Sequence, residues 1–214
     1  MHESDIYNAI NNAIENKNDI VFVSYSILDE TDEKIRYTLQ KILQDCNKEE
    51  WVTPIYSAVK ELVSNALKAN AKRILVDEGI IKESDPVQEV VRKLRTILNE
   101  RAVLEYGIKK KKKSLSTRVY FTFESERLII KVINNLPLSE KELKKIHDRI
   151  SISSKYDNIA EFFMDYPDPA AEGMGLGLCM VMTLLKSINI DHRNFSFSTD
   201  GVEKTCAEMK IMLN

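Results

Sequence analysis

Four polar residues at helical spacing and one glycine run are the groups in this sequence that could do chemistry. Glu61, Asn65, Lys68 and Lys72 are four, three and four positions apart, so they share one face of a helix. On that face Asn65 can offer an oxygen to Mg²⁺, Lys68 can balance phosphate charge, and Glu61 can orient or deprotonate a water. The same spacing is also typical of a solvated helix face, so the pattern by itself leaves both interpretations open.

The glycine run covers residues 173–178 and reads Gly-Met-Gly-Leu-Gly-Leu. It lacks the last glycine of the dinucleotide fingerprint, because Leu178 stands there, and it lacks the Gly-Lys-Ser/Thr ending of a P-loop. Glycines at a helix start let backbone N–H groups approach an anion, and the helix terminus adds partial positive charge. The alternative is a tight loop packed on a neighbour. We predict a phosphate site made of Gly173, Gly175, Leu176, Gly177 and Leu178.

Cap and turn residues predict the elements that position these groups. Thr53-Pro54, a threonine cap with proline at the first helical position, predicts a helix to about residue 76. Ser139 and Glu142 form a capping box that predicts another helix start. Further segments are a helix at 6–14, a strand at 20–27, a hairpin at 117–133, a helix at 178–188 and closing strands at 195–198 and 204–212. We expect an α+β fold, a two-layer sandwich with a mixed, mainly antiparallel sheet covered by helices.

The composition is that of one globular domain. The 214 residues have a net charge of −2, which argues against a general nucleic-acid binder. Three distant cysteines suggest neither a zinc site nor a disulfide framework, and no apolar run approaches the roughly 20 residues of a membrane span. We predict a single cytoplasmic domain over 1–214, with an N-terminal helix at 1–17, a helical insertion at about 77–116 and no membrane association. The lysine run 109–113 is interpreted as a solvated connector or a docking point for an acidic protein.

Three segments resemble the nucleotide-binding boxes of the GHKL superfamily, which comprises gyrase, heat-shock chaperone, histidine kinase and mismatch-repair ATPases. Residues 61–69, ELVSNALKA, resemble its asparagine box. Residues 132–138, VINNLPL, resemble its adenine-side box, and residues 172–178, EGMGLGL, resemble its phosphate-side glycine box. Their order matches the family, and the resemblance covers about 55–212. It implies the Bergerat-type ATP-binding fold with ATP and Mg²⁺ as ligands.

The resemblance also implies roles for single residues. The asparagine that matches Asn65 holds Mg²⁺, and the glycine box closes on the phosphates beneath a mobile lid, here at about 151–172. Glu61 matches the catalytic glutamate of the chaperone and gyrase branches, which activates water. Thr205 stands where a threonine would support the adenine-binding carboxylate. The implied nucleotide-binding residues are Asn65, Lys68, Asn134, Gly173, Gly175, Leu176, Gly177, Leu178 and Thr205.

The adenine-side box departs from the family pattern of Asp-x-Gly-x-Gly. Asn134 replaces the aspartate, and Leu136 and Leu138 replace the two glycines. A neutral acceptor in place of a carboxylate weakens binding by about tenfold. An amide can present either its oxygen or its NH₂, so we expect looser discrimination of adenine from guanine. The two leucines raise the alternative that they fill the space of the base.

The three histidines, His2, His147 and His192, do not lie in a dimerisation helix ahead of the ATPase boxes, so the chain does not resemble a complete sensor kinase. It is more similar to stand-alone anti-sigma-factor kinases. We therefore expect an Mg-ATP-binding regulatory protein, a protein kinase or ATPase switch that acts on a partner protein. The alternative is a non-catalytic, degenerate nucleotide-binding module that acts through protein contacts. The N-terminal helix suits a homodimer as well as packing on its own domain.

Overall fold

The computed structural model describes residues 3–25, 30–82, 84–97, 109, 115–166 and 174–214. They form an α+β fold in which helices pack against a five-stranded sheet. The helices are α1 (Glu3–Glu15), α2 (Thr31–Asp45), α3 (Val52–Asp77), α4 (Val87–Ile97), α5 (Glu140–Ser153), α6 (Ile159–Asp165) and α7 (Met174–Ser187). The strands are β1 (Ile20–Ser24), β2 (Thr117–Glu124), β3 (Arg127–Asn134), β4 (Phe195–Thr199) and β5 (Thr205–Met212).

The strands lie in the order β1-β2-β3-β5-β4, and every pairing in the described part of the chain is antiparallel. The expected α+β class with a mainly antiparallel sheet is confirmed, but the expectation of a mixed sheet was wrong. The pairs β2-β3 and β4-β5 are joined by short turns, which allow only antiparallel pairing. The connection from β3 to β4 runs through helices and delivers β4 to the sheet edge, and β5 then returns beside β3.

Alternation along the strands gives the sheet one buried face. On β5, Thr205, Ala207, Met209 and Ile211 are buried, and the residues between them are more exposed. The buried face packs on α2, α3 and α7 in the main core, whose fully buried members include Leu39, Ile55, Phe121, Ile130 and Val181. This period of two places Thr205 and Asn134 on the covered side of the sheet, next to α3.

A second core lies on the C-terminal half of α3. It consists of Ala71, Ile74, Leu75, Ile81, Val90, Leu94 and Leu115, with Val76 and Leu136 packed against it. The predicted insertion at 77–116 therefore has apolar contacts of its own with α3, through α4 and Leu115. Residues 98–108 and 110–114, with all of the lysine run except Lys109, lie outside the described residues.

Two helix starts differ from their predictions. The chain passes through a 3-10 turn at Glu49–Trp51 directly into α3 at Val52, so Thr53 lies inside the first turn and is not the cap. Pro54 is tolerated there because first-turn N–H groups have no intrahelical partner. Helix α7 begins at Met174 rather than at residue 178, which places Gly175 and Gly177 within its first turn.

The capping box at the start of α5 is confirmed. Ser139 Oγ accepts a hydrogen bond from the Glu142 backbone N–H at 3.3 Å, and Glu142 Oε2 accepts one from the Ser139 N–H at 2.9 Å.

Among the described residues, none of the helices combines the length and the apolarity that a membrane span requires.

The described part of the predicted lid, 151–166, contains the short helix α6. Phe162 is buried against α7, and its ring stacks on Tyr166 and meets Tyr156 edge-on. Tyr156 donates a hydrogen bond to Asp165 Oδ2 at 2.7 Å, and this bond raises the pKa of Tyr156 to about 12. The base of the predicted lid is thus fixed to the domain, and residues 167–172 lie outside the described residues.

Candidate functional site

The polar face of α3 carries a hydrogen-bonded pair. Asn65 Nδ2 donates to Glu61 Oε1 at 3.0 Å, across one helical turn. A carboxylate only accepts hydrogen bonds, so the amide must turn its NH₂ toward Glu61 and its Oδ1 away from it. Among the described residues Asn65 Oδ1 therefore has no hydrogen-bond partner, and it is a hard oxygen on a half-buried side chain, the type of ligand that Mg²⁺ prefers. The pair fits the predicted metal site.

The first turn of α7 lies directly against this pair. A Cβ atom built on Gly177 would lie 2.0 Å from Glu61 Oε1, so only glycine allows the backbone to come this close. The N–H groups at the start of a helix have no intrahelical acceptor, and in α7, which begins at Met174, these include the N–H groups of Met174, Gly175 and Leu176. The structure therefore brings together two boxes that are far apart in sequence, with a helix N-terminus beside Glu61 and Asn65.

Residues of the glycine run contribute unequally. Leu178 is buried in the main core, and Leu176 is 43% exposed on the other side of the turn. The N–H of Leu178 bonds within α7 to the carbonyl oxygen of Met174, so its side chain and its N–H are both used by the fold. Gly173 lies outside the described residues. Among the described residues, the backbone N–H groups of Met174, Gly175 and Leu176 are the ones placed to meet an anion, and Gly177 instead brings the helix close to Glu61.

Two lysines continue the polar face. Lys68 is half-buried and makes no ion pair with another described residue. Lys72, one turn later, lies close enough to Glu142 to lower its pKa. Burial would raise the pKa of Glu142, but the Ser139 hydrogen bonds and the positive charge of Lys72 outweigh it. Of these two lysines, Lys68 is accordingly the one that has no ion-pair partner among the described residues and is available to a ligand.

A row of buried polar residues crosses the sheet beside α3. Thr117, Asn134 and Thr205 are direct neighbours on β2, β3 and β5. Each is less than a tenth exposed. Asn134 Nδ2 donates to the Ala66 carbonyl oxygen at 3.4 Å, and Asn134 Oδ1 has no hydrogen-bond partner in the described part of the chain. Since a carbonyl only accepts, this bond fixes the amide and leaves an acceptor oxygen unpartnered.

The two leucines of the adenine-side box are held by neighbouring threonines. Thr205 Oγ1 donates to the Leu136 carbonyl oxygen at 2.7 Å, and the Leu138 N–H donates to Thr199 Oγ1 at 3.2 Å. The Leu136 side chain packs against the second core. The Thr205 hydroxyl thus bonds to the chain just after Asn134, whereas the Asn134 side chain is bonded to α3.

A cavity of about 370 Å³ opens on the other side of Glu61, between α2, α3 and α7. Asp32, Tyr56 and Lys60 form a hydrogen-bonded group in its wall, with Tyr56 Oη to Asp32 Oδ2 at 2.6 Å and Lys60 Nζ to Asp32 Oδ2 at 3.0 Å. Burial and the bond to Asp32 raise the pKa of Tyr56. Sequence inspection missed this group, because Tyr56 and Lys60 share a helix face but nothing local links them to Asp32.

The chain is similar to a longer protein along most of its own length. An uncharacterized protein of Treponema pallidum (strain Nichols) is 28% identical over 207 residues, which cover 96% of this chain and 40% of the relative. The chain thus spans about two-fifths of the length of the relative that it matches. No protein-family model and no solved structure matches the chain.

Proposed function

We propose that the protein binds Mg-ATP between α3, the start of α7 and the end of β3, and that it acts as a regulatory protein kinase or ATPase on a partner protein. The observation that carries this proposal is the contact of Gly177 with the hydrogen-bonded pair of Glu61 and Asn65. A carboxylate and an amide, whose oxygen has no hydrogen-bond partner among the described residues, lie beside the start of a helix. That combination suits a metal-bound triphosphate.

The phosphate side has the charges that phosphoryl transfer needs. Asn65 Oδ1 would hold Mg²⁺, which neutralises phosphate charge when bound, and Lys68 adds a second positive charge. Glu61 has one oxygen committed to Asn65 and a second that can take a proton from water or from an acceptor hydroxyl. In such a step the γ-phosphorus bond to ADP breaks, the bond to the acceptor oxygen forms, and the acceptor proton goes to Glu61.

The base side supports adenine over guanine. Asn134 offers an acceptor oxygen because its NH₂ is bonded to Ala66 O. An acceptor suits the amino group of adenine and repels the carbonyl oxygen of guanine. To reverse this preference the amide would have to give up its bond to α3. We therefore propose the same preference as with aspartate, but a smaller one, since a neutral hydrogen bond is weaker than an ionic one.

Calorimetry with ATP, ADP and GTP, each with and without Mg²⁺, tests the proposal. We expect ATP to bind more tightly in the presence of Mg²⁺, and we expect Asn65→Ala to lose about ten- to a hundredfold of that Mg²⁺-dependent affinity. Asn12→Ala is the matched control, because Asn12 is an exposed helical amide on α1 that bonds to Asn16. Failure of the wild-type protein to bind millimolar Mg-ATP would overturn the proposal.

Labelled ATP separates the catalytic role from a binding role. Release of labelled phosphate, or its transfer to proteins of a cell extract, identifies turnover, and Glu61→Gln should abolish it while leaving Mg-ATP binding intact. Binding without turnover in the wild-type protein would favour the alternative, a nucleotide-binding module that acts through protein contacts. The uncharged base side, with Asn134 in place of an aspartate, is the observation that favours this second candidate.

A further inference from the structure

Asn70 is a buried amide on α3 that the fold does not satisfy. Its side chain has no exposed surface, and neither Nδ2 nor Oδ1 has a hydrogen-bond partner among the described residues. Buried amides in folded proteins are almost always paired, because an unpaired one loses its bonds to water without replacement. A leucine would fit such an environment at lower cost. The amide at position 70 therefore calls for a ligand or an ordered water.

The position of Asn70 on α3 is next to the base side of the proposed site. It lies one helical turn after Ala66, whose carbonyl oxygen holds Asn134. It directly precedes Ala71, which belongs to the second core together with Leu115, and Leu136 packs against that core. Asn70 thus lies on α3 between Ala66, which is bonded to the end of β3, and Ala71, whose apolar cluster includes Leu115 ahead of β2.

Other unpartnered polar atoms gather at the same end of the sheet. Thr117 is fully buried, its Oγ1 has no partner within the described residues, and Asn134 is its direct neighbour on β3. Asn134 Oδ1 is a fixed acceptor, Thr117 Oγ1 can donate or accept, and the Asn70 amide offers one group of each kind. A purine edge, which presents an amino donor beside a ring-nitrogen acceptor, complements this set.

We infer that Asn70 is a specificity-determining residue that binds the purine ring of the nucleotide, together with Asn134. The inference rests on the proposed function, and it names how the base is recognised. Because the two residues assigned to the base, Asn70 and Asn134, are both amides, their recognition of the base is uncharged. An internal water that satisfies Asn70 for purely structural reasons is the competing explanation.

Asn70→Leu tests the inference through two opposite effects. Leucine has nearly the same shape as asparagine but no unsatisfied amide. The unliganded variant should therefore melt at least about 2–4 °C above the wild-type protein. The same variant should bind Mg-ATP about tenfold more weakly. Mg-tripolyphosphate, which has no base, should bind the variant and the wild-type protein equally. A residue that is satisfied by a structural water would instead give a less stable protein with unchanged ATP affinity.

A second variant at position 70 and a control variant separate an effect on base binding from a general effect on the fold. Asn70→Ala is the second variant and should also weaken Mg-ATP relative to Mg-tripolyphosphate. Thr38→Val, which removes a buried hydroxyl on α2, should change neither affinity. Equal ATP binding by the wild-type and Asn70 variants would overturn the inference and leave the proposed function standing, as would an equal loss for ATP and tripolyphosphate. Absence of ATP binding by the wild-type protein would overturn both.

Discussion

Gly177 lies so close to Glu61 that a methyl group at position 177 would overlap the carboxylate, 2.0 Å from Oε1 and 2.8 Å from the carboxyl carbon. The same Oε1 accepts the hydrogen bond from Asn65 Nδ2. The backbone of Gly177 is helical, so its conformation does not require glycine. The need for glycine comes from the approach of α7 to α3, and it links the glycine box directly to the carboxylate that we propose as the base.

Gly177→Ala should therefore displace the Glu61 carboxylate and leave the fold intact. The group that must move is the flexible end of a half-exposed side chain, so we expect a change in melting temperature of only a few degrees. If Glu61 is the general base, turnover should fall on the order of 10²-fold or more. Steady-state ATP hydrolysis and thermal denaturation measure the two effects. Loss of turnover comparable to that of Glu61→Gln is expected, and normal turnover in Gly177→Ala would contradict the role of Glu61.

Asn134→Asp should lower the stability of the protein, although aspartate is the residue found at this position in the superfamily that the sequence resembles. The Asn134 amide donates to the Ala66 carbonyl oxygen at 3.4 Å, and Asn134 is only 6% exposed. A carboxylate oxygen in place of the amide NH₂ would face that carbonyl oxygen, so two acceptors would lie together out of water. We expect a loss of about 1–3 kcal/mol in the free energy of unfolding at neutral pH. The loss should shrink at acidic pH, where the introduced carboxyl group is protonated and can donate to Ala66 O.

Denaturant unfolding at several pH values, with Asn135→Asp as the comparison, checks this expectation. Asn135 Oδ1 accepts from the Ser116 N–H at 2.7 Å, so a carboxylate at 135 keeps an acceptor where one is needed. A variant Asn134→Asp that is as stable as the wild-type protein, with tighter ATP binding, would show that the bond to Ala66 does not determine the identity of residue 134.

Local patterns were sufficient to predict the polar face of α3 and the capping box of α5. Glu61, Asn65 and Lys68 share a face because their spacing matches the helical repeat, and Ser139 and Glu142 act within three residues of each other. The start of α7 was misplaced because glycines at the beginning of a helix have the composition of a loop. Packing against Glu61 overrides their low intrinsic preference for helix.

Contacts between elements that are distant in sequence determine the side-chain orientations and packing that the sequence did not predict. The orientation of the Asn134 amide depends on Ala66, and the packing of Leu136 depends on the second core. Asn70 has the spacing of a buried helix position, and only its unpartnered amide marks it as unusual. These properties depend on which elements meet across the fold, and a single sequence contains no local signal for such meetings.

Thr205→Val should loosen the segment after Asn134. Valine has nearly the same shape but cannot donate to the Leu136 carbonyl oxygen, which now accepts from Thr205 Oγ1 at 2.7 Å. We expect a loss of about 1 kcal/mol in the free energy of unfolding and weaker nucleotide binding with no change in Mg²⁺ dependence. Thr122→Val on β2, outside the buried row, is the control in urea titration and calorimetry. Unchanged stability in Thr205→Val would mean that this hydrogen bond does not hold the segment.

The turn between β4 and β5 should make stability depend on pH in the acidic range. Asp200 Oδ1 accepts hydrogen bonds from the backbone N–H groups of Val202, Glu203 and Lys204 at 3.0, 2.8 and 2.9 Å. These bonds lower the pKa of Asp200 from 3.8 to about 2 in the folded protein. The folded state therefore favours the ionised form, so the stabilisation is complete above the unfolded pKa and is lost as the pH falls from about 4 to about 2.

Asp200→Ala should consequently melt at a lower temperature than the wild-type protein at neutral pH, and the difference should decrease below about pH 4. Asp148→Ala, an exposed aspartate on α5, serves as the control and should track the wild-type melting curve. The turn joins Thr199 to Thr205, whose hydroxyl groups hold Leu138 and Leu136. Loss of the Asp200 bonds should therefore also weaken nucleotide binding at neutral pH. A melting difference between Asp200→Ala and wild type that stays constant down to pH 2 would show that the ionised carboxylate does not stabilise this turn.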